Sequence, residues 1–191
     1  SMERLDCRGL ECPLPVVKTK EFLQTHQAVE VFVDNEIAVE NLKKFAKVRG
    51  YQVNHQQVNQ DYLVTLIKTG VVVEETPTNN LSDDVVVISS KVMGSDPTLG
   101  AILMKSFIFA LTKQDQLPKS IIFYNEGIFI TTTPSDSLND LIELEKQGVE
   151  IVSCGTCLDF FERKDQLLVG TATNMYDIVE RMEKASKILK P

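Results

Sequence analysis

Four cysteines fall in two tight clusters far apart in a 191-residue chain. Cys7 and Cys12 lie in Leu5-Asp6-Cys7-Arg8-Gly9-Leu10-Glu11-Cys12-Pro13-Leu14-Pro15, and Cys154 and Cys157 frame Ser153-Cys154-Gly155-Thr156-Cys157. Pro13 has no amide hydrogen and suits the first turn of a helix. A thiol just ahead of such a turn faces helix-start amides and the positive end of the helix dipole, which favour its thiolate. The thiolate is the form that attacks sulfur. Arg8 is a cation that could steady an anionic sulfur on Cys12, and Glu11 opposes it if it points the same way. Three readings of Cys12 remain open from the residues alone: a small buried hydrophobe, a metal ligand, or a nucleophile.

The second cluster has the Cys-x-x-Cys form of a thioredoxin-type redox pair, although it stands late in a chain without Trp. It is also half of a zinc site. Cys7 with Cys12 has the wrong spacing to supply the other half, and neither His26 nor His55 falls beside a cysteine, so no metal is expected. The Gly94 to Gly100 stretch lacks the Gly-Lys-Ser/Thr ending of a phosphate loop, which leaves Lys105 without a nucleotide role. Asn125 and Asn174 stand at expected strand ends, as pocket residues for the second cluster or as caps.

The elements that must position these thiols read as two α/β units. Residues 1–69 run strand (Arg4 to Cys7), helix (Pro13 to Thr25), strand (Val29 to Asp34), and a helix capped by Asn35 and stopped at Gly50. A hairpin of Tyr51 to Val58 and Tyr62 to Lys68 closes the unit around Asn59-Gln60-Asp61. Residues 70–84, with Glu74-Glu75-Thr76-Pro77, read as a linker. In 85–191, strands alternate with helices. Strands are expected at Val85 to Ser89, Ser120 to Tyr124, Val149 to Ser153 and Leu167 to Val169. Helices are expected from Asp96-Pro97 to Lys113, from Ser135-Asp136 to Gly148, and from Met175 to Ile188. This alternation predicts a doubly wound parallel sheet with its site beyond the strands' carboxyl ends, where Cys154 stands.

Leu5-Asp6-x-Arg8-Gly9-Leu10-x-Cys12-Pro13-x-Pro15-Val16 resembles the TusA (SirA-like) sulfurtransferases. The resemblance covers roughly residues 3 to 68. It implies a βαβαββ two-layer sandwich that carries sulfur as a persulfide on Cys12, and it assigns nothing to Cys7. A second set of residues resembles the DsrE-like half of the YedF proteins, called sulfurtransferase-like selenium metabolism proteins. It comprises Gly94-x-Asp96, Leu99-Gly100, Leu103-Met104-Lys105, Phe107, Phe123-Tyr124-Asn125-x-Gly127, Cys154-Gly155-x-Cys157-Leu158 and Thr173-Asn174-Met175-Tyr176. Together they imply a TusA-like unit fused to a DsrE-like, Rossmann-type parallel α/β unit, with a link to selenium handling. By that resemblance Cys154 inherits the sulfur-accepting role and Cys157 does not directly. From the residues themselves, Gly155 lets the backbone after Cys154 approach closely, and Cys157 is close enough to hold the product or release it by forming a disulfide.

The expected function is a sulfur or selenium relay whose only transferred group is the persulfide sulfur or selenium, with no cofactor. Its partners would be a cysteine desulfurase or another donor, and an acceptor protein. The rivals are a non-catalytic adaptor for sulfur- or selenium-handling proteins and a dithiol redox protein using Cys154 and Cys157. A net charge of -7 argues against nucleic acid, which needs clustered Lys and Arg. The longest apolar run, Gly100 to Leu111, is broken by Lys105 and too short to span a bilayer. No signal-peptide pattern opens the sequence, so a cytoplasmic location is expected. The helix carrying Leu99 to Leu111 is apolar on nearly every face, more than one sheet can cover. A homo-oligomer formed through it is therefore expected.

Overall fold

The computed structural model describes residues 2–70 and 80–191. The chain divides into two compact units, Ser1–Thr76 and Pro77–Pro191. Of the stretch read as a linker, residues 71–79 lie outside the described residues. Asn80 to Asp84 are tied to the second unit: Leu81 bridges to Leu117, and Ser82 donates to the Leu117 carbonyl.

The first unit runs β1 (Arg4–Asp6), α1 (Leu14–Phe22), β2 (Ala28–Val33), α2 (Glu36–Arg49), β3 (Gln52–Val58) and β4 (Asp61–Ile67). Its sheet has the order β1-β2-β4-β3, with β1 parallel to β2 and the other pairings antiparallel. Strand alternation decides which face is dry. Val29, Val31 and Val33 of β2 are fully buried with Val64 and Leu66 of β4, against Val39, Leu42 and Ala46 of α2 and Leu23. Glu30 and Phe32 fall on the opposite face, where Arg4 pairs with Glu30 and both Arg4 and Arg8 lie over the Phe32 ring. Two helices on one face of a half-polar sheet give two layers.

Asn35 caps α2, its side-chain oxygen accepting from Ala38 N at 2.8 Å, and Gly50 ends it at φ 71°. Helix α1 is shorter than the apolar pattern predicts. Its last turn tightens as Gln24 and Thr25 donate to the carbonyls of Glu21 and Phe22, three residues back, so the chain leaves the helix before Thr25.

The second unit contains β5 (Val85–Ile88), α3 (Pro97–Thr112), β6 (Ser120–Phe123), α4 (Ile128–Thr132), α5 (Asp136–Lys146) and β7 (Glu150–Cys154). It continues with α6 (Gly155–Phe160), β8 (Thr171–Thr173), α7 (Met175–Lys184) and β9 (Ile188–Leu189). All five strands are parallel, in the order β8-β7-β6-β5-β9. One face packs Val86, Ile88, Ile121, Phe123 and Ile151 against Met104 and Ile108 of α3 and Leu141 and Leu144 of α5. The other places Val85, Val87, Ile122, Val152 and Cys154 beneath Ile178 of α7.

Two expectations are corrected here. The strand read at Leu167 to Val169 is instead Thr171–Thr173. Leu167 and Val169 are apolar because they pack on the core, while Leu168 N donates to the Thr131 carbonyl. Gly170, at φ 71°, then brings the chain so close to the Ile151 carbonyl that a Cβ has no space. Pairing with β7 begins just past it. The helix read through Ile188 stops at Lys184. Ala185 is extended, Ser186 N donates to Asp83 O, and Val85 N donates to Lys187 O. Ile188, the last residue of that reading, and Leu189 after it supply β5 with an edge partner that a longer helix would have denied it. Helices α4 and α6 are too short to show a period in the sequence.

On α3, Gly100, Met104, Ile108 and Leu111 are buried, whereas Leu99, Ile102 and Leu103 are 55%, 59% and 41% exposed. The uncovered apolar stripe is therefore in the first half of the helix. Phe109 is half-buried beneath Lys113.

Candidate functional site

Cys12 is an exposed free thiol at the end of the loop that joins β1 to α1. Hydrogen bonds on both sides fix that loop. Gly9, at φ 76°, directs its amide onto Asp34 Oδ2 at 2.6 Å. Asp34 Oδ1 in turn accepts from Asn35 Nδ2 at 2.9 Å, so one carboxylate links the thiol loop to the cap of α2. The Asn35 amide and the Gly9 N–H hold the Asp34 carboxyl below the ordinary aspartate range. On the far side Leu14 N donates to Glu11 O at 2.8 Å. The Cys12-Pro13 peptide is cis, and Pro13 stands at the N-cap of α1.

Arg8 serves this loop differently from the sequence expectation. Its guanidinium grips both oxygens of Asp6 at 2.9 Å and reaches Asp61 Oδ2 at 3.4 Å, while its plane lies 5.2 Å from the Phe32 ring centroid. The Asp6 carboxyl is lowered to about 2, first by its side-chain hydrogen bond from Arg8, and the Arg8 guanidinium is held still more firmly protonated. The charge of Arg8 thus ties the loop to β1 and β4. The donor recorded on the Cys12 sulfur is Asn41 Nδ2 of α2, at 3.9 Å.

Cys12 and Asn41 line one recess of about 280 Å³, counting its open mouth, with Leu10, Pro13, Pro15, Val16, Asn35, Ile37 and Ala38. Ile37, on the first turn of α2, is 71% exposed beside it. Neither Asn41 nor Ile37 stands out in the sequence. The available signal was the pattern Asn35-x-x-x-x-x-Asn41, which puts a second amide nearly two turns into a helix that already has its cap. Cys7 is only 1% exposed within the core, and burial pushes its thiol up. It packs in the core of the first unit.

In the second unit, Cys154 is the last residue of β7, is 4% exposed, and caps α6, its sulfur accepting from Cys157 N at 3.3 Å. Cys157 is half-buried, and its sulfur accepts from Asn125 N at 3.1 Å. Asn125 stands just beyond β6 at φ 51°, a left-handed conformation that asparagine tolerates. Its side chain accepts from Glu126 N at 2.8 Å. Of the two asparagines weighed for this pocket, Asn125 reaches it, and Asn174 caps α7 through Asp177 N. Burial, then the hydrogen bond with Cys154, pushes the Cys157 thiol up. Gly155 lies against the Thr173 carbonyl, where an added Cβ would come within 3.0 Å. Two thiols, each receiving a backbone amide, therefore sit at the carboxyl end of a parallel sheet.

Among the described residues, no group of three or more His, Cys, Asp or Glu side chains is disposed to hold a metal ion, and no helix is long and apolar enough to cross a membrane.

Comparison with known proteins bears on the first unit most directly. The family model for sulfurtransferase TusA matches residues 3–69. A Methanocaldococcus jannaschii protein, named provisionally as a sulfur carrier, is 45% identical over 56 residues, which are 28% of this chain and 75% of that protein. The crystal structure of a SirA-like protein from Desulfitobacterium hafniense shares 34% identity, covers 36% of this chain and 100% of its own, and superposes with a TM-score of 0.34. The ychN protein of E. coli shares 17% identity over 56% of this chain and 97% of its own, with a TM-score of 0.42.

Proposed function

Because the chain belongs, through its N-terminal unit, to the TusA sulfurtransferase family of sulfur carriers, we propose that Cys12 is its carrying residue and holds sulfur as a persulfide. The observation that carries this is the presentation of Cys12: an exposed thiol on a loop clamped by Asp34 and Arg8, opening on a recess with one side-chain donor at the sulfur.

In loading, the Cys12 thiolate attacks the terminal sulfur of a donor cysteine persulfide. A Cys12 S–S bond forms, the donor S–S bond breaks, and its electron pair leaves on the donor thiolate. Delivery repeats the step with an acceptor thiolate and returns Cys12 as thiolate. No net oxidation or reduction occurs in either transfer. A cysteine desulfurase is the donor class that presents such a persulfide. Selenium can follow the same course. Free thiols poised for exchange suit a reducing compartment such as the cytoplasm.

The C-terminal unit is read as a DsrE-like partner, which would make the chain a YedF-type fusion linked to selenium metabolism. Cys154 accepts sulfur there, and Gly155 lets the backbone after it pass close to the Thr173 carbonyl. Attack by Cys157 on the inner sulfur of a Cys154 persulfide would form the Cys154–Cys157 disulfide and expel sulfide or selenide, leaving a disulfide for a dithiol reductant to reopen. The hydrogen bond from Cys157 N to the Cys154 sulfur favours that short-range exchange. It equally supports a second reading, a dithiol redox pair independent of sulfur carriage.

Exposure to a persulfide donor followed by cyanolysis separates these readings. A carrier gives thiocyanate that depends on Cys12 or Cys154; a redox pair gives none and instead cycles between dithiol and disulfide. A non-catalytic adaptor does neither.

A further inference from the structure

We propose that Asn41 is a positioning residue for the carried sulfur: the terminal sulfur of a Cys12 persulfide lodges in the recess between α1 and α2, where Asn41 Nδ2 donates a hydrogen bond to it. This rests on the reading of Cys12 as a sulfur carrier and says where the cargo sits.

Two asparagines line the recess, and their side chains are used differently. Asn35 has both ends occupied, its oxygen by Ala38 N and its nitrogen by Asp34 Oδ1. It holds the helix and cannot turn toward a ligand. The Asn41 amide has only the Cys12 sulfur recorded as a side-chain hydrogen-bond partner among the described residues. An amide on the second turn of a well-capped helix has no structural need to face a thiol.

The distance supports a longer cargo. At 3.9 Å, the Asn41 nitrogen stands beyond close hydrogen-bond range of the resting sulfur. A persulfide extends the acceptor by one S–S bond of about 2.05 Å, and rotation about the Cβ–Sγ bond sweeps that atom through the recess. The remaining walls are Leu10, Pro13, Pro15, Val16, Ile37 and Ala38, which offer no side-chain hydrogen-bond donor to an anion. Asn41 is thus the side chain of the recess free to donate to that sulfur. A persulfide anion accepts hydrogen bonds and donates none, so an amide suits it and a carboxylate repels it.

The test uses the full chain with Cys7, Cys154 and Cys157 changed to Ser, loaded with inorganic polysulfide. The fraction of Cys12 carrying an extra sulfur is followed by intact-protein mass spectrometry during incubation with a fixed concentration of dithiol. Asn41→Leu, which keeps the γ-branched skeleton and removes the donor, should lose its sulfur roughly tenfold faster, the worth of one hydrogen bond to a charged group. Asn41→Asp should lose it faster still, with the deficit shrinking as pH falls and the carboxyl protonates. Asn41→Gln should recover part of the parent lifetime. Equal lifetimes in parent, Leu and Asp variants overturn the assignment of Asn41 while leaving Cys12 a carrier. A parent chain that acquires no sulfur overturns the carrier reading itself, and the role of Asn41 with it. The pH-dependent response of the Asp variant is one that a purely structural role for position 41 does not produce.

Discussion

The amide of Gly9 donates to Asp34 Oδ2 at 2.6 Å, and this one contact joins the loop that presents Cys12 to the strand end that precedes α2. A left-handed glycine supplies the amide direction and an anion supplies the acceptor, so the thiol loop is registered against a helix it touches nowhere in sequence.

Asp34→Ala should slow sulfur loading of Cys12 about tenfold by freeing the loop, whereas Asp34→Asn should retain most of it because the amide oxygen still accepts from Gly9. Asp34 has a depressed folded-state pKa, so its stabilising contribution is complete above the unfolded value near 3.8 and disappears as pH falls through the lower folded value. The melting-temperature difference between the parent and Asp34→Asn should accordingly be flat from neutral pH down to about pH 5 and close only in strong acid. A difference that already varies between pH 6 and 8 would assign the effect to another group.

Cys157 has its thiol pushed up by burial and by Cys154. Cys154→Ala removes the second cause, so the pH midpoint for alkylation of Cys157 should move down in that variant. The matching functional expectation is that Cys154→Ser abolishes sulfur loading on the C-terminal unit, while Cys157→Ser permits loading and slows release. An unchanged Cys157 midpoint would mean that the two sulfurs do not communicate. Loading that depends on Cys157 alone would reverse their roles.

Gly127 packs so tightly on the Ile88 carbonyl that a Cβ overlaps the backbone. Gly127→Ala should cost about 3 kcal/mol in urea unfolding and displace the neighbouring Asn125 amide from the Cys157 sulfur. A variant as stable as the parent would show that the β5 end and this turn can part freely.

The stripe of Leu99, Ile102 and Leu103 is the uncovered apolar face of α3. We propose that it meets a second copy of the chain. Ile102→Glu should reduce the hydrodynamic size measured by sedimentation, whereas Phe109→Glu, at a half-buried position, should chiefly destabilise the fold. A parent chain that sediments as a monomer would remove the proposal.

Much of this architecture was legible because its signals are local. Asn35 and Gly50 bracket α2 as cap and stop, Asp96-Pro97 opens α3, and the β-branched run from Val85 reads as a strand buried on both faces. What escaped depends on distant partners. Leu167 to Val169 has the composition of a strand but lies over the core, and pairing waits for Gly170 to bring the chain against Ile151. Ile188 and Leu189 continue an apolar pattern yet leave the helix to pair with β5. At the site, the motif around Cys12 was visible, but the acceptors of Arg8 are fixed by folding. Asp61, 53 residues away, takes part of a charge expected to serve the thiol. Asn41 reaches Cys12 only because α1 and α2 share one face of the sheet.

The most direct test of the account is mass spectrometry of the parent chain and of the four single Cys→Ser variants after exposure to a cysteine persulfide donor, with each cysteine-containing peptide resolved. The account predicts one added sulfur on the Cys12 peptide, abolished only by Cys12→Ser and indifferent to Cys7→Ser. An unmodified Cys12 peptide beside a modified Cys7 peptide, or no added sulfur on any peptide, would contradict it.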